Sequence, residues 1–328
     1  MRQDFSIQEG RVVETAGGPI RIYTAPMPEE RAELMASCGI DEHTLNSALD
    51  PEEVPRVEVE GDHTLIFWKR PDPASFRVAG LFEVSSVGMV LQKDRLTIVT
   101  ANEGPTLGRK RTRPVGSLHE LVLRELLEVV HHYIEHLRVI KAMSREVQAK
   151  LNASIGNEYL LRMFALGESL VYYVNAIEAN GGALSRLRAT AERIGFSTED
   201  TRLLDDLVIE NTQCARQAAI YSQVLSGLMD ARGNIINNNM NMLLKNLTVI
   251  NVVFLPLGVL AGIGGMSEFT MMTQGIPWWV SFPLFLLGLA VIGFVTWRVL
   301  GRWMDRSMGQ TEPNGLARRS GATVKAKR

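Results

Sequence analysis

The stretch NLTVINVVFLPLGVLAGIGGMSEFTMMTQGIPWWVSFPLFLLGLAVIGFVTW, Asn246 to Trp297, contains a single ionisable side chain, Glu268. Two uncharged runs flank that residue, 246–267 and 276–297. At a rise of about 1.5 Å per residue, about 20 residues cross a hydrocarbon core of about 30 Å. Trp278, Trp279 and Trp297 stand at the two ends of the second run, where indoles favour the bilayer interface. A hairpin buried in a soluble core is the competing reading, and two runs of this length with these flanks favour a pair of membrane helices.

Charge outside the stretch sets an expected orientation. Arg298, Arg302, Arg306, Arg318, Arg319, Lys325, Lys327 and Arg328 follow the second run, Lys245 precedes the first, and the loop between them has no Lys or Arg. The excess of positive charge next to the spans predicts that both termini are cytoplasmic and that the loop Glu268–Gly275 is external. The expected location is the inner membrane. The opening residues, MRQDFSIQEG, lack the apolar core of a signal peptide, as suits a region that never crosses the membrane. The basic tail is expected to mark topology and touch anionic lipid. Over the whole chain the formal net charge is only −1, and no nucleic-acid partner is expected.

Upstream, the sequence reads as α/β to about residue 115. RVEVEGDHTLIFWKR, FEVSSVGMVLQKD and RLTIVTA are short runs rich in β-branched and aromatic residues, broken by Gly, Asp and Pro. Helical periodicity takes over from Ser117 to about Leu151 and again from Asn157 to about Asn180, where NGG is expected to interrupt it. Gly195 ends the next helical piece. Ser197 and Asp200 form the S-x-x-D capping pattern, and no proline follows Thr198 until Pro256. One helix of about 65–70 residues, roughly 100 Å long, is therefore expected to run from the cytoplasm into the membrane. The expected organisation is an α/β domain (1–115), a helical domain with stalk helix (116–245), two membrane helices (246–267 and 276–299, within 246–300) and a basic tail (301–328).

Two membrane helices cannot enclose a pore, so transport requires an oligomer. Asp230, Asn234, Asn237, Asn241, Thr248 and Asn251 recur at helical spacings and so share roughly one face. Asn251 lies inside the apolar run, where an amide needs a partner or a water-filled cavity. These amides either line a pore or bond packed helices to one another; the pore reading is preferred. Asn238 and Asn239 are expected to face neighbouring helices.

The run LMDARGNIINNNMNMLLKNLTVINVVFLPLGVLAGIGGM (Leu228–Met266) resembles the CorA family of divalent metal-ion transporters, notably in its ending F-x-P-L-x-x-x-A-G-I-x-G-M. SLVYYVNAIEANGGALSRL and VPRVEVEGDHTLIFWK extend the similarity over most of the chain. The resemblance implies a homopentamer: an N-terminal α/β domain, a funnel of long helices, and a central pore lined by the first membrane helix of each copy. It implies that Asp230, Gly233, Asn237, Asn241, Leu244, Leu247, Asn251, Leu255, Gly258 and Gly262 face the pore. Leu244, Leu247 and Leu255 would then form constrictions that exclude water. The cargo implied is a divalent cation, Mg²⁺, Zn²⁺ or Co²⁺, carried as substrate; no cofactor is expected.

The chain departs from the family at the outer mouth. Gly265-Met266-Ser267 stands where the family has Gly-Met-Asn, and a zinc-transporting branch has Gly-Ile-Asn. Gly265, Met266, Ser267, Glu268 and Asp230 are the expected metal-contacting residues. Five copies of Glu268 would form an acidic ring that concentrates cations; a solvated loop carboxylate is the plain alternative. A non-conducting scaffold or sensor that keeps the fold is the second functional reading.

Other clusters are weaker. Glu128, His132 and His136 follow at i, i+4 and i+8, beside His131 and Glu135. That spacing suits zinc, though an ordinary polar helix face is preferred. Glu199, Asp200, Asp205, Asp206 and Glu210 form an acidic run, read first as solvated and second as regulatory cation sites between subunits. Cys38 and Cys214, far apart in sequence, read as reduced packing residues. Neither a Gly-rich phosphate loop nor a nucleophile–base set appears, so an enzyme is not expected.

Overall fold

The computed structural model describes residues 1–72, 82–102, 114–153 and 157–308. The chain divides into two compact units, Met1–Ala231 and Arg232–Arg328. Arg318, Arg319, Lys325, Lys327 and Arg328 of the basic tail lie outside the described residues, as does the side chain of Glu268.

The first unit is built on a seven-stranded sheet: β1 (Arg2–Gln8), β2 (Arg11–Glu14), β3 (Ile20–Thr24), β4 (Arg56–Glu60), β5 (His63–Pro71), β6 (Val84–Gln92) and β7 (Leu96–Thr100), in the order β2-β1-β3-β7-β6-β5-β4. All neighbours are antiparallel except β3 and β7, which run parallel from Ile20↔Leu96 to Thr24↔Thr100. The sequence reading found the hairpins of the second half but not β1–β3. The parallel partner of β3 lies more than seventy residues away and leaves no local turn signal, whereas β1 and β2 form a local hairpin across Glu9 and Gly10 that the reading passed over.

Side chains alternate across this sheet, so one strand feeds two cores. Tyr23, Leu65, Phe67, Val90 and Val99 meet Leu34, Cys38 and Leu45 of the helices α1 (Pro28–Cys38) and α2 (Glu42–Leu49). Gly88 has no Cβ because one would fall 2.5 Å from that of Ala48 on α2. The opposite residues Ile22, Ile66, Trp68, Met89 and Ile98 join one core with α3 (Leu118–Ala153), α4 (Asn157–Ala189) and the start of α6 (Thr198–Gly264). Both cysteines are buried and free, and burial pushes the Cys214 thiol up to about 12.

The expected break at NGG does not occur: α4 runs through Asn180, Gly181 and Gly182 to Ala189. These residues serve close packing instead. Asn180 accepts from the Lys69 backbone N–H at 3.0 Å and donates to its carbonyl at 2.8 Å, closing β5 just past the last β4 partner, Phe67. A Cβ at Gly181 would sit 3.3 Å from Asn211 Nδ2 on α6, and that amide donates to the Ile177 carbonyl at 3.0 Å. Glycine here admits a neighbour rather than ending a helix.

The short helix α5 (Ala191–Ile194) stops at Gly195, whose φ is 92°. Helix α6 then begins as the sequence predicts. Ser197 and Asp200 exchange bonds: the Asp200 N–H donates to Ser197 Oγ at 3.1 Å and the Ser197 N–H to Asp200 Oδ2 at 3.0 Å. The helix continues unbroken for 67 residues, through Pro256.

In the second unit, α6 is followed by α7 (Ser267–Met272) and α8 (Trp278–Met308). Thr198–Gly264 and Trp278–Leu300 each contain an apolar window long enough to cross a membrane, and those windows are almost entirely unburied within the chain. The loop expected between 267 and 276 therefore contains a helical turn, and the second helix extends past residue 299.

Candidate functional site

At 3.6 residues per turn, residues Asp230, Gly233, Asn237, Asn241, Leu244, Leu247, Asn251, Leu255, Gly258 and Gly262 fall within about a third of the circumference of α6. All ten are exposed in the single chain; Leu255 is 70% exposed. The opposite side of the same helix carries its intrachain contacts. Val253 is 7% exposed, a Cβ at Gly293 of α8 would meet Leu257 at 3.2 Å, and one at Gly264 would fall 2.4 Å from the Phe285 ring. Helix α8 thus covers one face of α6, and the Asn-rich face points away from it. Thr248, on that face, spends its hydroxyl on the Leu244 carbonyl, 2.8 Å away, which leaves the asparagine amides and the Asp230 carboxylate as its polar groups among the described residues.

Packing fixes the corner after α6. The Gly265 N–H donates to the Ala261 and Gly262 carbonyls (3.2 and 3.1 Å) and the Met266 N–H to the Ile263 carbonyl at 3.1 Å. Met266 then turns extended, at φ −79° and ψ 150°, as the N-cap of α7. Phe269 on α7 stacks at a tilt on Phe285, ring centroids 5.2 Å apart. Phe285 therefore seats both Gly264 and Phe269 and holds the Gly265-Met266-Ser267 corner between them. The sequence reading missed this clamp: a Gly and a Phe twenty-one positions apart carry no pairing signal. Ser267 opens α7 and Glu268 is its second residue.

Within the single chain the other candidate clusters do not come together as a metal centre. Among the described residues no group of three or more His, Cys, Asp or Glu could hold an ion. His136 Nδ1 lies 2.6 Å from the Tyr173 hydroxyl, and its ring is 4.3 Å from that of His132. Burial first, and the neighbouring His132 second, lower His136 to about 4, so it is held neutral within the core edge. His131 instead pairs with Glu210 at 2.7 Å. Of the acidic run, Asp205 pairs with Arg188 at 2.5 Å and Asp200 caps α6.

A layered α/β domain that feeds one very long helix into an apolar two-helix hairpin defines a class: a two-span membrane protein with a large soluble domain at its N-terminal end. The chain belongs to the CorA family, described as CorA-like Mg²⁺ transporter protein, which matches residues 22–302. The family is one of transporters, not enzymes. The cobalt/magnesium transport protein CorA of Methanocaldococcus jannaschii is 26% identical over 312 residues, covering 89% of this chain and 95% of that protein. The complete structure of the CorA magnesium transporter from the same organism superposes with a TM-score of 0.75 at 24% identity, over 91% of this chain and 96% of that one. The full-length CmaX protein shares the fold at a TM-score of 0.68 and 16% identity, over 92% and 97% of the two chains.

Proposed function

We propose that the chain moves divalent cations across the inner membrane through a pore lined by the membrane half of α6, in a ring of five copies with both termini cytoplasmic. The observation that carries this reading is the division of α6 into two opposite faces. One is packed against α8 at Leu257 and Gly264; the other, with Asn237, Asn241 and Asn251, has no cover among the described residues, and at the level of Asn237 and Asn241 neither face has any. The Asn251 amide, inside the apolar run, is costly against lipid and favourable against water or a neighbouring amide, so the face that carries it belongs on a shared axis. Leu244, Leu247 and Leu255 form the dry constrictions of that axis, Gly258 and Gly262 the narrow-walled segment beyond them, and Asp230 with Gly233 its cytoplasmic end. Gly265, Met266 and Ser267 form the outer mouth, with Glu268 drawing cations to it.

Relatives are named for cobalt and magnesium, and the cargo proposed here is Mg²⁺, Co²⁺ or Zn²⁺. Ser267 widens that choice. Hexahydrated Mg²⁺ sheds water reluctantly and is held through its shell, and a serine hydroxyl reaches less far into that shell than an asparagine carbonyl. Weaker discrimination against Zn²⁺ and Co²⁺ follows.

Ion-sensitive dyes trapped in proteoliposomes test the reading: wild-type protein is expected to admit all three ions. An assembled oligomer that admits none would make the protein a scaffold or sensor on the same fold. Glu268→Gln is expected to slow uptake most at low ionic strength, where the Debye length of about 30 Å at 0.01 M leaves the ring unscreened. A salt-independent effect would reduce Glu268 to a loop carboxylate.

A further inference from the structure

One groove of the first unit gathers positive charge that the chain does not answer. Helices α3 and α6 run parallel along it. His131 pairs with Glu210 at 2.7 Å, and the Lys141 ammonium lies over the Tyr221 ring, 5.2 Å from its centroid; both pairs keep nearly the same offset along the two helices. From α3, Arg138, Lys141 and Arg145 follow His131 at spacings of seven, three and four, which places them on one face. All three are exposed. From α6, Gln217 and Tyr221 follow Glu210 at spacings of seven and four.

The acid that answers His131 has no counterpart further along. No Asp or Glu occurs on α3 from His136 to Arg145, or on α6 from Asn211 to Met229. Glu135 stands a turn before Arg138 without pairing with it, and Glu146, next to Arg145, is taken by Lys150 at 2.6 Å. Among the described residues none of the three cations forms an ion pair. Like charges at these spacings repel one another along a helix, so three aligned cations with no acid facing them suit an anion supplied from outside.

In place of a carboxylate, α6 presents neutral hydrogen-bonding groups. Gln217 Nε2 donates to the Tyr221 hydroxyl oxygen at 2.8 Å, which leaves the hydroxyl proton to be donated into the groove. Burial raises the Tyr221 hydroxyl, but the bond from Gln217 and the charges of Lys141 and Arg145 outweigh it and hold the group below its ordinary value. Both cations therefore act at that hydroxyl.

We propose that this groove binds the phosphates of a polyphosphate ligand, with Lys141 and Arg145 on the charge, Tyr221 donating its hydroxyl and Arg138 at one end. Arginine forks match phosphate oxygens, and lysine serves as a point charge. The run from Arg138 to Arg145 is about 10 Å long at 1.5 Å per residue, room for a chain of phosphates rather than one. The source is either inorganic polyphosphate or the tail of a nucleoside triphosphate. Phosphates also hold hard divalent cations, so on the transport reading above the site would bring a carrier of the transported ion onto the protein. Binding itself requires neither the ring nor conduction.

The test is isothermal titration calorimetry of the full chain in mild detergent, free of divalent cations and at near-physiological salt. Sodium tripolyphosphate is expected to bind saturably. Lys141→Gln with Arg145→Gln should weaken binding at least about tenfold, the scale of one hydrogen bond to a charged group, and Tyr221→Phe severalfold. Lys150→Gln, on the same helix but paired with Glu146, should leave it unchanged. Because these variants remove exposed charge, their thermal midpoints without ligand should match wild type. Tripolyphosphate should then raise the midpoint of wild type and not that of the double variant. Adenosine triphosphate binding as tightly as tripolyphosphate would assign recognition to the phosphates alone, and tighter binding would add the nucleoside; both support the site. No saturable binding, or equal weakening by Lys150→Gln, would overturn it and return the cations to solvent, with ion flux in liposomes still to be read independently.

Discussion

The two units of this chain solve the burial problem in opposite ways. Met1–Ala231 covers most of its large apolar residues with its own helices, on both faces of one sheet: Trp68, Tyr133 and Tyr173 are 0–1% exposed. In the second unit Val253 alone among the described large apolar residues is buried, while Phe254, Leu255, Trp278 and Trp297 are more than half exposed. The first unit carries its solvent-excluded interior within one chain. The second leaves its exterior to lipid and to other copies, so its sequence is written for surroundings the single chain does not supply.

Substitutions should separate the two regimes. The largest effect is expected in the sheet core: Trp68→Ala should cost about 3–5 kcal/mol, seen as a large drop in the thermal midpoint of the full chain. Leu247→Ala in the second unit should leave that midpoint nearly unchanged and alter ion flux instead; equal thermal effects would erase the distinction. Next, Asn251→Leu should reduce flux by at least about tenfold, since each copy loses a polar contact worth about 1 kcal/mol, with the oligomer intact by native mass. Retained flux would move the conduction path off this face.

A smaller effect concerns pH and the first unit alone. His136 titrates near 4 in the fold against about 6.5 when unfolded, so the unfolded chain binds the extra proton first. The contribution of this residue is complete above about pH 6.5 and is lost as the pH falls toward 4. His136→Phe should flatten the decline of the thermal midpoint across that window, and an unchanged slope would assign the decline to other groups. The smallest expected change is at the outer mouth. Ser267→Asn should shift preference toward Mg²⁺ by about two- to tenfold, the scale of one net hydrogen bond. An unchanged preference would place selectivity elsewhere along α6.

Legibility in the sequence followed the same division. Helix α6 was readable to within a residue at its start because its signals are local: Ser197 with Asp200 at one end and no proline before Pro256. Its polar face was readable because it repeats with the helical period. What failed were features that depend on distant residues. NGG in α4 looks like a break, and only the approach of Asn211 and the open edge of β5 explain it. The clamp of Phe285 on Gly264 and Phe269 and the pairing of His131 with Glu210 were invisible for the same reason.

The uncovered amide face of α6 has a consequence for the life of a newly made chain. On the pore face proposed above, a freshly inserted copy would hold Asn251 against acyl tails until it met other copies, an arrangement that lipid disfavours. Orphan chains should therefore be short-lived, recognised by membrane quality control through that same face. Cellular abundance would then be set by the pace of encounter rather than by synthesis.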